Sequence, residues 1–447
     1  MQAPVLDVNA LIALGRLTEQ ALSPDGTWVA ACVQVLDADR AAYVGSLWRV
    51  PMDGSAAERL LEGAFDDRGP AFRPDGTLTF ISNRTHDAHG ADDEPDSKAR
   101  KQVWALTADG SLECLTDEPL GVTKHQWARR APVHIVETPV LPGVAHEALD
   151  ATARDLEKGP SMLRYTNMPV RHWDSWLPDQ VRHLVALTPE GRRDITPERT
   201  ERYPEWSWEV SEDGRTVVTT GLIPGPDRME ADTVVLVDVA TGASRDLLAD
   251  PTISYGNPHF SPDGSRLVVT RSPFHSGWAP DSELVIVPLD DPAAMHVLGG
   301  DWDVQPTPHA WSRDGRSVLA TAAVEARGRL YAVDVDSGAR RALLESGTCH
   351  ALTVGEDRIV IQHSSVLTPP RLRVIDPASG TAVALAPLDG LEVDLAEHIE
   401  VEEITVTGHD GDPVHSWILS PRAGGTGQGL LWIHGGPVGD WGDVWHW

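Results

Sequence analysis

The feature that most restricts how this chain can fold is a short turn that returns at a fixed interval. "LSPDGTWVAA" (Ser23 to Gly26), "FRPDGTLTFI" (Arg73 to Gly76), "VSEDGRTVVT" (Ser211 to Gly214), "FSPDGSRLVV" (Ser261 to Gly264) and "WSRDGRSVLA" (Ser312 to Gly315) share one pattern. An Asp-Gly pair followed by a β-rich run is a strong local hairpin signal, because glycine supplies the positive φ and a preceding proline presets the first turn dihedral. The aspartates at 25 and 75, at 213 and 263, and at 263 and 314 lie 50, 50 and 51 residues apart. A period of about 50 residues falls in the range of propeller blades.

Each hairpin is followed by another strand and another turn, as in "SLWRVPMDGSAAERL", "QVWALTADGSLECLT", "TVVLVDVATGASRDLL", "ELVIVPLDDPAAMHVL", "RLYAVDVDSGARRALL" and "RLRVIDPASGTAVALA". Their apolar–polar alternation predicts the third and fourth strands of a four-stranded blade. One unit is degenerate: "HQWARRAPVHIVETP" and "VRHLVALTPEGRRDIT" flank a long insertion around "HEALDATARDLEKGP". Units starting near Leu22, Phe72, Trp127, Trp208, Phe260, Trp311 and Leu352 give seven blades, and the weak signature of the last, "TVGEDRIVIQ", leaves six or eight open. The expected fold is mainly β, a seven-bladed β-propeller over residues 21–392 behind an N-terminal helical segment, 1–20. A propeller by itself is a rigid platform with variable loops, which serves binding as readily as catalysis.

After Gly390 the period is lost. "VEEITVTGHDGDPVHSWILSPRAGGTGQGLLWIHGGP" holds two β-rich runs around a turn, a Gly-rich loop, and an apolar run, Leu430 to Ile433, that reads as a buried strand. Residues 393–447 are therefore expected to begin an α/β-hydrolase domain. The turn His434-Gly435-Gly436-Pro437 is a candidate oxyanion-hole segment, since glycines let a substrate carbonyl approach backbone N–H groups. His434 itself, with no Ser or carboxylate at motif spacing, reads as a structural member of that turn.

The repeated Asp-Gly turns, then "EEITV", then "LLWIHGGP", resemble the prolyl oligopeptidase family of serine peptidases, in its acylaminoacyl-peptidase and dipeptidyl-peptidase-like branch. The resemblance extends over essentially the whole chain and includes the Arg171-His172-Trp173-Asp174 run. It implies a Ser-His-Asp hydrolase of short peptides whose propeller gates access, with one oxyanion N–H from Gly436 and a second from the residue after the nucleophile. The G-x-S-x-G elbow is absent: Gly159, Gly242 and Gly315 begin "GPSML", "GASRD" and "GRSVL", all in propeller-type sequence. The family's triad follows the HGGP turn, so the 447 residues are expected to be part of a longer chain and inactive alone. A stand-alone propeller binding module and an esterase on the same scaffold are the alternative readings.

Composition bounds the partners. With 37 basic and 67 acidic residues the net charge is −30, which repels phosphate backbones and anionic lipid. Nucleic acid and membrane are thus not expected as partners; short peptides are, and a homo-oligomer is open. Three isolated cysteines, Cys32, Cys114 and Cys349, suit neither a disulfide framework nor a zinc site, and a cytoplasmic location is expected. No cofactor or metal is expected: His86 and His89 fit no ligand spacing and read as a solvated loop. Arg171, Trp173, Asp174 and Trp176 are candidate substrate-lining residues. Glu402 and Glu403 read as hairpin surface charges, and "WGDVWHW" as apolar surface meant to pack on a hydrolase domain.

Overall fold

In the computed structural model each Asp-Gly turn is closed by its own side chains. The structure describes residues 8–85, 99–158, 165, 170–172, 174–201, 207–226, 230–274, 281–435 and 439–447. The Ser23 hydroxyl donates to Asp25 Oδ1 (2.6 Å), the Thr27 N–H donates to the same oxygen (3.0 Å), and the Trp28 N–H donates to Ser23 Oγ (3.2 Å). The pattern recurs at Ser211–Asp213, Ser261–Asp263 and Ser312–Asp314. Gly26, Gly76, Gly214, Gly264 and Gly315 take φ values between +68° and +90°, which a side chain would strain.

Around these turns the chain forms seven four-stranded antiparallel sheets. Their innermost strands are Arg16–Leu22, Arg68–Phe72, Lys124–Trp127, Trp208–Val210, Ile253–Phe260, Thr307–Trp311 and Thr348–Val354, for blades I to VII. The fold is thus a seven-bladed β-propeller, which closes the alternatives of six or eight. The blade starts drawn from the sequence fall within or at the end of these strands, because the most visible turn joins strands one and two. Blade I begins at Arg16, inside the segment expected to be helical; among the described residues of that segment helix covers Val8–Ala13. Blade III carries the long insertion, residues 141–180, with a helix over Leu149–Glu157.

Neighbouring blades are stitched by an aromatic residue of the inner strand. Trp127 Nε1 donates to Thr79 Oγ1 of blade II (3.0 Å), Trp208 Nε1 to Glu137 Oε2 of blade III (3.1 Å), and Trp311 Nε1 to the His259 carbonyl of blade V (3.0 Å). A cation from the preceding blade covers each ring: Arg73, Lys124 and Arg266, at 4.9, 4.9 and 5.0 Å from the centroids. Indole N–H groups buried at such an interface need a partner, and here the neighbouring blade supplies it.

The ring closes without a shared strand. Blade I is built wholly from residues 16–59 and blade VII from 348–384. Across the seam Leu17, Val29, Val33 and Val50 pack on Val360, Leu372, Leu385 and Leu388, and Gln20 Nε2 donates to the Val360 carbonyl (3.0 Å).

Beyond the ring, strands Ile399–Thr407 and Pro413–Pro421 pair as an antiparallel hairpin. The run Leu430–Ile433 corrects the expectation of a buried strand: it is unpaired, and the four side chains are 91, 84, 66 and 73% exposed. A parallel-type strand is buried only when other elements cover both its faces, and no described residue does so. The terminal segment is corrected too, since Trp445 is 7% exposed and packs on the propeller.

Leu372→Ala, which opens a void in the seam, is expected to lower stability by about 2–5 kcal/mol, read as a shift of the urea midpoint. Val383→Ala, on an exposed edge of the same blade, is expected to stay within about 0.5 kcal/mol.

Candidate functional site

The antiparallel order of each blade gives the ring two unlike ends. Turns joining strands one to two and three to four lie at one end, the Asp-Gly end. Connections from strand two to three lie at the other, together with the long insertions of blades II and III and the 225–229 and 274–282 connections of blades IV and V. At the Asp-Gly end lies a central cavity of about 890 Å³, lined by the turns and the adjoining ends of the inner strands of every blade.

The hairpin sits at the insertion-bearing end. Arg327, at the turn between the second and third strands of blade VI, forms a two-pronged pair with Glu403 (2.6 and 3.1 Å), and His415 Nε2 lies 2.7 Å from the same carboxylate. Bonds to Arg327 and His415 hold the Glu403 carboxyl down at about 2. The Arg327 guanidinium lies 5.0 Å from the Trp417 ring, and Trp417 Nε1 donates to the Trp441 carbonyl (2.6 Å). Glu403 is therefore a docking group rather than a free surface charge.

The terminal segment is fixed at the same end by Asp443. Its carboxylate accepts the Gly347 N–H (2.9 Å) and the Val366 N–H (3.0 Å), its carbonyl accepts the Thr348 hydroxyl (2.9 Å), and its own N–H donates to the Ala326 carbonyl (2.7 Å). Gly347 has φ +65°, and an added Cβ would fall 2.3 Å from His363 Nε2. Only glycine leaves that N–H free for the aspartate.

Of the candidate oxyanion turn, His434 and Gly435 are described. His434 is half-buried with Nδ1 3.0 Å from the Gly435 carbonyl, and Gly435 is exposed; Gly436 and Pro437 lie outside the described residues. Arg171 and Trp176 pair across a two-residue hairpin in the blade III insertion, with the guanidinium 5.7 Å from an indole that is 59% exposed. The Tyr165 ring stacks on Trp176 at 6.1 Å, and Asp174 is exposed beside it. Trp173, like His86 and His89, lies outside the described residues. The insertion places Arg171, Asp174 and Trp176 at the hairpin end of the ring, but none of the three lines the central cavity. Among the described residues no group of three His, Cys, Asp or Glu could hold a metal ion, and no helix is long and apolar enough to cross a membrane.

The geometry defines a class: a seven-bladed propeller with a β-hairpin docked on its loop-bearing end. No family profile matches the chain. Over 322 residues, 63% of the chain and 44% of the relative, it is 24% identical to dipeptidyl-peptidase 5 of Trichophyton equinum. An acylaminoacyl peptidase in complex with Z-Gly-Gly-Phe-chloromethyl ketone superposes with a TM-score of 0.72 at 14% identity, covering 98% of this chain and 64% of that one. The propeller domain of the Trilobed protease from Pyrococcus furiosus, with an open velcro topology, gives 0.56 at 12% identity, covering 85% and 98%. The solved structures share the fold of this chain, and the curated relatives it resembles in sequence are named dipeptidyl-peptidase 5. The chain spans less than half the length of those curated relatives.

Sequence reasoning passed over one buried pair. His125 Nε2 donates to the Gly69 carbonyl (2.7 Å), which leaves Nδ1 to accept from His134 Nε2 (3.0 Å), and His134 stacks on Trp127 at 4.1 Å. Burial pushes His125 down to about 4 and His134 well below its ordinary value, so both are neutral. A folded pKa below the unfolded value of about 6.5 means that the unfolded chain takes up protons first. Stability is complete above about pH 6.5 and is lost as pH falls toward 4, at about 1.4 kcal/mol per pH unit for each such histidine. A second loss, below about pH 3.9, comes from the turn aspartates, whose hydrogen bonds lower them, Asp263 to about 2. Thermal midpoints measured from pH 7 to 4.5 are expected to hold down to about pH 6.5 and then fall, less steeply in His134→Gln. Glu403→Gln, tested by hydrogen exchange, is expected to speed exchange in strands 399–407 and 413–421 about threefold with the blades unchanged.

Proposed function

We infer that this chain forms the propeller and opening hairpin of a serine peptidase of the prolyl oligopeptidase type, acting on short peptides. One observation carries the reading: a hairpin followed by Leu430 to Pro437 is tied by Glu403 and Asp443 to the end of the ring where the insertions cluster. A hydrolase sheet continued from Leu430–Ile433 would cover those apolar side chains, which lie bare here. The same sheet would hold the His434–Pro437 turn over the insertion-bearing end of the ring. Peptide substrates are the class that the peptidase relatives imply.

The chemistry needs a nucleophile, and the G-x-S-x-G elbow that would carry it is absent from the 447 residues. In this reading a Ser-His-Asp set on further hydrolase sequence attacks the peptide carbonyl, and the Gly436 N–H stabilises the resulting oxyanion. Arg171, Asp174 and Trp176 supply a cation, an anion and an aromatic face at the same end of the ring, the chemistry that would meet a peptide's terminus and side chains. We also place the protein in the cytoplasm: Cys32 and Cys349 are free and buried, and burial raises the Cys349 thiol to about 12.

Intact mass of the protein from its native source, before and after a fluorophosphonate probe, tests the reading. A species heavier than 48.4 kDa with one adduct is expected. A 48.4 kDa species without adduct overturns the peptidase and leaves the binding module.

A further inference from the structure

The central cavity has a smaller neighbour. Between blades II and III, at the Asp-Gly end, lies a second cavity of about 440 Å³, walled by three turns at residues 73–75, 130–132 and 187–189. Arg73, Pro74 and Trp127 line both cavities and form the partition between them. Small-molecule sites are concave and mostly apolar, roughly 300–1,000 Å³ in volume, with a few placed polar groups. This cavity has that size and that make-up.

Its walls are apolar and stiff. Each turn contributes one proline, Pro74, Pro132 and Pro189, and proline has a fixed φ and no N–H to offer. Leu115 and Leu187 lie deeper, where they pack on the core that Val103 and Val136 build between the two blades.

The polar lining comes down to one cation. At this end of the ring the other arginines are paired: Arg129 with Glu356, Arg130 and Arg313 with Glu212. Arg73 is not. Its guanidinium packs 4.9 Å from the centre of the Trp127 ring, and its Nε is buried with no hydrogen-bond partner among the described residues. The carboxylate nearest in sequence, Asp75, gives Oδ1 to the N–H of Thr77 (2.9 Å) inside its own turn. His134 also lines the cavity, but it is neutral and its Nε2 is taken by His125. The uncommitted charge on the wall is therefore positive, and a guanidinium N–H kept from water without an acceptor is costly.

We propose that this cavity is a binding site for a small carboxylic acid with an apolar body, an arylalkyl or branched alkyl monoanion. Arg73 donates to its carboxylate, the acceptor that fits the planar fork, and the body lies along the three prolines and the two leucines. A single guanidinium in a chain of net charge −30 selects against polyanions, which the surrounding field repels. A monoanion loses least to that field and gains most from the apolar walls. The site is a property of blades II and III and does not rest on the peptidase reading.

The probe is para-fluorophenylbutyrate, and its neutral amide is the control. Binding to the 447-residue chain is read from fluorine NMR line broadening in a titration. The acid is expected to bind saturably with a dissociation constant of about 1 mM, ordinary for a ligand of about 13 non-hydrogen atoms. The amide is expected to bind about tenfold more weakly. Arg73→Gln is expected to weaken the acid about tenfold and to leave the amide unchanged, with the thermal midpoint reporting any loss of fold. Pro132→Trp, at an exposed position that lines this cavity alone, fills the space while keeping Arg73 and is expected to abolish binding of both. Arg358→Gln, which lines the central cavity alone, is expected to change neither. Absence of saturable binding, equal binding of acid and amide, or binding that survives Pro132→Trp overturns the site. Failure here leaves the fluorophosphonate result untouched.

Discussion

The first and last blades of this ring come from opposite ends of the propeller sequence, and no strand is shared between them. Everything else depends on the seam holding, because an open ring would expose the inner faces of blades I and VII to water. Side-chain packing of Leu17, Val29, Val33 and Val50 on Val360, Leu372 and Leu385 does this, with few hydrogen bonds to help. Such packing is non-directional and scales with area. The seam thus tolerates small rotations of the blades that a paired strand would forbid, and the Gln20–Val360 bond sets its register.

The interfaces inside the ring are built differently. There a tryptophan or phenylalanine at the end of the inner strand inserts toward the preceding blade, as Trp28 and Phe72 meet edge to face at 5.0 Å. Directional indole bonds and a covering cation fix the angle between blades. Because each wedge belongs to one repeat and its partner to the one before, the ring is assembled by nearest-neighbour contacts. The period of about 50 residues is the sequence image of that rule.

This explains what could be read before the structure. The Ser-x-Asp-Gly turns are local: serine, aspartate and glycine close them within five residues, so strand order and a count of seven could be drawn from spacing, while the degenerate third unit and the weak last one left the count open to six or eight. The contact between Arg313 and Glu212 was hidden because the two are about a hundred positions apart, and only the circular order of blades brings them together. Glu403 looked like a surface charge because its partner, Arg327, lies in a turn of another blade. Leu430–Ile433 was read as buried from its apolar character, yet burial belongs to the elements that cover a strand and not to the strand. The candidate residues Arg171, Asp174 and Trp176 lie on the blade III insertion, which is visible in the sequence, while their separation from the cavity required coordinates.

Charge distribution ties these observations together. With a net charge of −30, the cations are scarce, and only Lys98, Lys101, Lys124 and Lys158 are lysine. Arginine supplies the rest, and the structure places it where blades or segments meet: Arg327 on Glu403, Arg192 on Glu118 at 2.8 and 2.9 Å, Arg313 on Glu212. The planar fork holds a carboxylate by two parallel bonds and stacks on indole rings, which a point-charge ammonium does not. A surface crowded with carboxylates offers a wandering cation many equivalent partners. Two-pronged geometry singles out one of them, so arginine at these joints gives the acidic chain fixed contacts where long-range attraction would be indiscriminate.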